Sequence, residues 1–252
     1  MKEGQRLWTR EELILAINLY CKLPFSKYHK GNPEVIKLSE ILGRTPSSIA
    51  LKLGNLASFD PSLQARGIKG ARNASKLDKE VWEEFYESWD EAAFESEKLL
   101  AQKTGGLFLN ESDENTREGR EKESIVKTRI NQSFFRQTIL ASFNFKCCVT
   151  GIERPELLVA GHIKPWSLDQ KNRLNPRNGL AMNALHDKAF ETGMLTITPD
   201  YIVNVSSELL KSKDPEMDQY FAKYHGKEII LPSRFLPDPE LLRYHNNERF
   251  KP

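Results

Sequence analysis

The chain has 252 residues, 39% hydrophobic and 29% charged, a length and balance that suit one large or two small folded domains with polar connecting stretches. Its 37 basic and 35 acidic side chains leave a formal net charge of +2, which excludes a uniformly basic nucleic-acid coat. Three cysteines, two of them adjacent, exclude a disulfide framework and suit a reducing, cytoplasmic setting; no apolar run approaches 18 residues and the first residues hold no apolar leader, so neither a membrane span nor secretion is expected.

Along the chain, Thr9-Arg10-Glu11-Glu12 forms a capping box, followed by Leu13, Ile14, Ala16, Ile17 and Tyr20 at helical spacing. Asn32-Pro33 starts a second helix, marked by Val35, Ile36, Leu38, Ile41 and Leu42 and stopped by Gly43. Thr45-Pro46 starts a third, with Ile49, Leu51, Leu53 and Leu56. The short turn between the second and third helices fits helix-turn-helix geometry, and the stretch from Trp8 to Asn55 resembles Myb-like and other helix-turn-helix modules. Three-helix bundles without DNA contact are common, so that plainer reading stands beside it. On the DNA-binding reading the third helix exposes Ser47, Ser48, Lys52 and Asn55.

The net charge hides two opposed blocks. From Arg44 to Lys76 six bases, Arg44, Lys52, Arg66, Lys69, Arg72 and Lys76, face Asp60 alone. From Asp78 to Glu97 nine acids face Lys79 alone. With a Debye length of about 8 Å at physiological salt, separate faces act separately. The basic block, with Arg44, Ser47, Lys52, Lys69 and Arg72, is therefore a candidate DNA surface. The acidic block reads as one helix with a solvated outer face, and its aromatic stripe of Trp82, Phe85, Tyr86, Trp89 and Phe94 as core.

From about residue 103 to 127 the composition turns polar and poor in aromatics, the mark of a linker. It divides the chain into an all-α module over 1–102 and a second module over 128–252. In the second, Leu157 to Ile163 is a short apolar strand ending at His162. Asn175-Pro176-Arg177-Asn178 is a turn into another strand, Gly179 to Met182, and Asn183 to Thr192 is a helix closed by Gly193. A strand, loop, strand and helix in that order bring His162 to the start of the helix that carries His186 and Asp187. The C-terminal stretch holds Tyr220, Phe221, Tyr224 and a strand-like Lys227 to Leu231, with loops at Pro232, Pro237 and Pro239.

The series His162, Asn178, His186 resembles the HNH endonucleases, and the block is similar to their ββα-metal finger. The match is to the restriction-type branch that reads Cys-x-Val-Thr-Gly, Ala-Gly-His-Ile, Asn-Gly-Leu and Leu-His-Asp-x-Ala-Phe, here Cys147–Gly151, Ala160–Ile163, Asn178–Leu180 and Leu185–Phe190. The resemblance implies an α+β chain, a helix-turn-helix-like all-α module followed by a small ββα-metal nuclease domain. It implies hydrolysis of DNA phosphodiesters in restriction or defence, with His162 as general base and Asn178 pinning the loop that orients it. It implies a divalent cation, Mg²⁺ or Mn²⁺, held by His186 with Asp187. Glu191, one helical turn beyond Asp187, either ligates or supports from behind.

The physical chemistry agrees: a neutral imidazole can take a water proton near neutral pH, and a divalent cation can polarise a phosphate. Two departures from the family pattern stand out. Gly161 occupies the position before the base where an acid or histidine is usual, which leaves Asp187, Glu191 and water as the expected ligands. No second Cys-x-x-Cys pair exists, so a structural zinc is not expected and the cysteines read as small core residues. Lys164, Arg173 and Arg177 surround the centre as phosphate contacts. The expected partner is double-stranded DNA, and cutting both strands with one finger calls for two copies, hence a homodimer. A finger that binds DNA without cutting it, and an RNA-cleaving HNH nuclease, are the alternatives.

Overall fold

The computed structural model describes residues 6–67, 74–105 and 117–252, with side chains of the last segment from residue 125 onward. The chain is mixed α and β and divides into two compact units, 1–134 and 135–252. Lys69 and Arg72 of the basic loop lie outside the described residues.

In the first unit α1 (Arg10–Lys22), α2 (Pro33–Leu42) and α3 (Pro46–Ala57) begin where their caps predict. Thr9 and Glu12 exchange both capping-box bonds, Asn32 accepts from the amides of Glu34 and Val35, and Thr45 accepts from that of Ser48. Gly43 ends α2 in the left-handed region at φ 58, a conformation that costs a side chain about 1 kcal/mol and glycine nothing. Leu13, Ile17, Tyr20, Val35, Leu38, Ile49, Leu53 and Leu56 make the core. Ile36 and Leu51 point outward instead, Leu51 with 60% of its surface exposed. A short α4 (Pro61–Ala65) follows, capped by Asp60, whose other oxygen accepts from the buried Tyr20 hydroxyl at 3.1 Å.

The acidic block forms two helices rather than one, α5 (Lys76–Glu87) and α6 (Trp89–Thr104). Ser88 leaves helical geometry at φ −135, ψ 60, and the chain restarts on Trp89. Trp82, Phe85 and Trp89 are buried, as core residues should be, and Trp82 meets Tyr20 edge to face with ring centres 5.2 Å apart. The outer face is partly neutralised, since Arg10 bridges Glu84 and Glu95 at 2.9 and 2.8 Å. The helix α7 (Arg117–Ser142) begins inside the polar stretch and carries the chain across the division between the units.

In the second unit β1 (Leu158–His162) pairs antiparallel with β2 (Gly179–Asn183), in a register that sets His162 opposite Gly179 and Gly161 opposite Leu180. The helix α8 (Ala184–Thr192) follows at once, capped by Asn183 and closed by Gly193 at φ 81. This is the expected ββα order. Gly179 is needed where the α7 end crosses the sheet: a Cβ there would lie 2.3 Å from Ile139 Cδ1 and 2.8 Å from Phe135 Cζ. A hairpin of β3 (Leu195–Ile197) and β4 (Val203–Val205) then leads to α9 (Ser207–Leu210) and α10 (Pro215–Tyr220). In place of a 227–231 strand there is one bridge between Ile202 and Glu228. Where loops are predicted around Pro239, the chain forms α11 (Pro239–Glu248), with Asp238 as cap and the proline at its first position.

Candidate active site

His162 ends β1 with its imidazole held on three sides. One face stacks on Phe135 at 4.1 Å and 6°, and the Trp166 ring meets it edge on at 5.6 Å. Its Nε2–H donates to the Arg173 carbonyl at 2.8 Å. That bond fixes the tautomer and leaves the Nδ1 lone pair without a hydrogen bond among the described residues. Burial pushes the His162 pKa below the ordinary imidazole value, opposed by the bond to the Arg173 carbonyl. The ring is therefore neutral near pH 7, in the form that can accept a proton.

The loop that supplies the Arg173 carbonyl is fastened by Asn178, which is fully buried. Its Oδ1 accepts from the Lys164 amide at 2.8 Å, and its Nδ2 donates to the carbonyls of Lys164 and Asn172, each at 3.1 Å. The Asn178 backbone carbonyl also accepts from the amide of Ile163, the residue after the imidazole, at 3.0 Å. At about 1 kcal/mol net for each bond, and more where a lost partner strands a buried group, these contacts hold the loop in one shape.

On α8, Asp187 and Glu191 are four residues apart and share a side of the helix. Both line a cleft of about 350 Å³ with His162, Gly161, His245 and Arg249. The Asp187 carboxylate is half-buried and has neither a hydrogen bond nor an ion pair among the described residues. Burial raises its pKa, with the charge of Glu191 adding to the effect and Lys188 opposing it. Its Oδ1 fills the space that a side chain at position 161 would take, 2.2 Å from where a Cβ on Gly161 would stand. The missing acid before the base thus has a structural counterpart: the glycine opens the strand to a carboxylate arriving from the helix. Glu191 is exposed and bonded to Lys188 at 2.8 Å, which lowers its pKa.

His186, expected with Asp187 as a metal ligand, is not placed to serve. Its ring is 1% exposed, Nδ1 accepts from Asn183 Nδ2 at 2.7 Å, and Nε2–H donates to the Tyr220 carbonyl at 2.8 Å. Successive helical residues point about 100° apart, so His186 turns toward Phe221 and Tyr224, whose rings it meets edge on, while Asp187 turns to the cleft. It ties the C-terminal segment to the finger. No group of three histidine, cysteine, aspartate or glutamate side chains converges among the described residues. Asp187 and Glu191 are nevertheless the donors that fit a hard divalent cation, since carboxylate oxygens suit it and one of the two lacks any other partner.

Several expected DNA contacts are engaged elsewhere. The Arg44 guanidinium bonds Glu12 at 2.6 Å and the Leu7 carbonyl at 2.8 Å, and lies over the Trp8 ring. The Lys52 ammonium is buried against Asp78 at 2.7 Å. A cation taken from water this way is stable only because its carboxylate goes with it, so neither reaches a phosphate without breaking that pair. Asn55 is buried too, whereas Ser47 stays exposed. In the second unit Lys164 pairs with Asp169 at 3.3 Å and Arg177 with Asp238 at 3.1 Å, while Arg173 lies over the Trp166 ring. These three remain half-exposed, and none of them lines the cleft. Cys147 and Cys148 are buried and free, and the Cys147 sulfur accepts from the Asn183 amide at 3.3 Å.

Sequence reasoning missed Arg249, because it reaches the cleft from the end of α11, far along the chain; His245, which in sequence follows a tyrosine in polar surroundings and reads as non-catalytic, also lines the cleft. His245 stacks on Phe190 at 3.6 Å, donates from Nε2 to its carbonyl at 3.1 Å, and has a pKa lowered to about 4 by burial. No helix among the described residues is long and apolar enough to cross a membrane. No curated protein matches the chain. Residues 147–198 match the family model described as HNH endonuclease, the same stretch that holds β1, the pinned loop, β2 and α8. The second unit of this chain therefore carries an HNH endonuclease domain.

Proposed function

We propose that this protein is a divalent-metal-dependent endonuclease that hydrolyses DNA phosphodiesters, with its centre in the cleft between β1 and α8. One observation carries the reading: a half-buried Asp187 carboxylate without a partner shares a cleft with His162, a neutral imidazole whose Nδ1 is uncommitted. A carboxylate left in that state is disfavoured until a cation reaches it.

In this mechanism His162 takes the proton of the attacking water on Nδ1, while its Nε2–H stays on the Arg173 carbonyl and stabilises the imidazolium that forms. Asn178 holds the loop bearing that carbonyl and so aims the ring. Asp187 and Glu191 hold Mg²⁺ or Mn²⁺, which when bound supplies Lewis-acid stabilisation of the phosphate. Lys164, Arg173 and Arg177, half-exposed in the same unit, serve as contacts for a polynucleotide backbone. The resemblance of the motif to restriction-type HNH proteins supports a role in defence against foreign DNA, in which two copies would cut a duplex. The helix-turn-helix-like part of the first unit keeps Ser47 on its exposed side as a contact with that duplex.

Supercoiled plasmid and a single-stranded RNA of similar length, each incubated with the protein and Mg²⁺ or Mn²⁺, test this directly. The plasmid should be nicked or linearised, EDTA should stop it, and His162→Ala should abolish it. Plasmid left intact under all metals, or cut equally by His162→Ala, refutes the enzyme; cleavage of RNA alone refutes the substrate.

A further inference from the structure

The cleft receives two residues, His245 and Arg249, from well beyond the stretch that matches the HNH family, and Arg249 is the charged one. Arg249 follows the last turn of α11, and the fold delivers it to the same cleft as His162, Asp187 and Glu191. Its position is set by several ties to α8. The guanidinium Nη2 donates to the Glu191 carbonyl at 3.1 Å, the Lys251 amide donates to the Gly193 carbonyl at 2.9 Å, and His245 stacks on Phe190 just before it. Gly193 makes the approach feasible, because a Cβ there would lie 2.1 Å from the Arg249 carbonyl oxygen. A glycine that reads in sequence only as a helix stop thus also admits the chain end that brings in the arginine.

Charge makes the residue matter. Among the described residues lining the cleft, Asp187 and Glu191 are the anions and Arg249 is the cation. Lys188 lies outside the lining and is bonded to Glu191. A phosphodiester entering the cleft brings a negative charge, and attack by water adds a second. His162 starts neutral and cannot offset the first. A guanidinium is always protonated and presents several donors in a plane, a geometry suited to phosphate oxygens. One of its donors is anchored on α8 while the others have no hydrogen bond among the described residues.

We propose that Arg249 is a catalytic residue of this centre, binding a non-bridging oxygen of the scissile phosphate and stabilising the charge that develops on it. This rests on the nuclease reading above. It also assigns a role to the C-terminal segment: α11 completes the active site that the HNH motif leaves without a cation.

Arg249→Gln keeps a donor for the Glu191 carbonyl and removes the charge, whereas Arg249→Lys keeps the charge and loses the planar fork. Single-turnover cleavage of plasmid should fall about 100-fold in Arg249→Gln, the scale seen when one donor to a developing oxyanion is removed, and recover in part in Arg249→Lys. In a His162→Ala background that does not cut, Arg249→Gln should make the slope of log affinity for a short duplex against log salt shallower by about one, as loss of one phosphate contact requires. Thermal unfolding should be unchanged. Cleavage by Arg249→Gln at the wild-type rate overturns the assignment. So does equal loss in both variants together with a lowered unfolding temperature and an unaltered salt slope, which marks a clamp on α8. If the wild-type protein itself fails to cut with any divalent metal, the nuclease reading falls and takes this one with it; an active wild type with an indifferent Arg249 sinks only the present inference.

Discussion

Replacing Gly161 by alanine tests whether the space before the imidazole belongs to Asp187. The added Cβ would stand 2.2 Å from Asp187 Oδ1 and 3.2 Å from Met182 Cε. Ordinary contact begins near 3.4 Å, so the carboxylate oxygen has to retreat by about 1 Å, while the methionine end yields readily. A displacement of about 1 Å at a reacting centre can cost about 100-fold in rate. Stability should barely change. An alanine in an extended strand gains about 0.5–1 kcal/mol by restricting the unfolded chain, and a side chain pushed about 30° off its rotamer costs about 0.5–1.5 kcal/mol. Gly161→Ala should therefore unfold within about 1 kcal/mol of wild type in urea, yet cut plasmid about 100-fold more slowly at fixed Mg²⁺ and need more Mg²⁺ for half-maximal rate. Wild-type cleavage with an unshifted Mg²⁺ requirement would refute the reasoning, since Asp187 would then be free to move without consequence.

Cleavage should require neutral His162, whose pKa is depressed by burial; the rate should rise with pH to a plateau, with the midpoint of the rise below the ordinary imidazole value of 6.5, and a rate still climbing tenfold between pH 7 and 8 would point to another base. His245 sits in the fold with a pKa of about 4 against 6.5 when exposed, so the unfolded chain takes up a proton that the native one refuses. Stability should be constant above pH 6.5, fall by up to about 3 kcal/mol between pH 6.5 and 4, and His245→Phe should remove most of that slope in urea titrations. Breaking the buried Lys52–Asp78 pair with Lys52→Met or Asp78→Asn should each destabilise the first unit by about 3 kcal/mol or more, and replacing both with apolar residues should cost less; near-zero effects of the single changes would mean that Lys52 is available for DNA after all.

What was legible in the sequence was what is local. Thr9, Asn32 and Thr45 announce their helices because a cap is a contract between neighbours three residues apart, and the ββα order follows from short apolar runs and turn residues within one stretch. The break at Ser88 was hidden because Trp82, Phe85, Tyr86 and Trp89 keep helical spacing right up to it. Arg44 and Lys52 looked available because Glu12 and Asp78, their partners, are distant in the chain, and counting charge along a sequence does not pair it in space. His186 drew attention as a histidine inside a motif, but angular spacing on the helix already set Asp187 and Glu191 on a common side and His186 off it. Arg249 carried no local signal; only the folding of α11 onto α8 gives it a place.

Binding of Mn²⁺ to the protein, followed by the loss of its free-ion paramagnetic signal, tests the central claim that the unpartnered Asp187 carboxylate beside His162 marks the metal-dependent centre. The account predicts saturable binding of Mn²⁺ by the wild type, retained by His162→Ala although that variant cuts nothing, and lost from Asp187→Asn although that variant stays folded. Wild-type Mn²⁺ binding and cleavage by Asp187→Asn would contradict it.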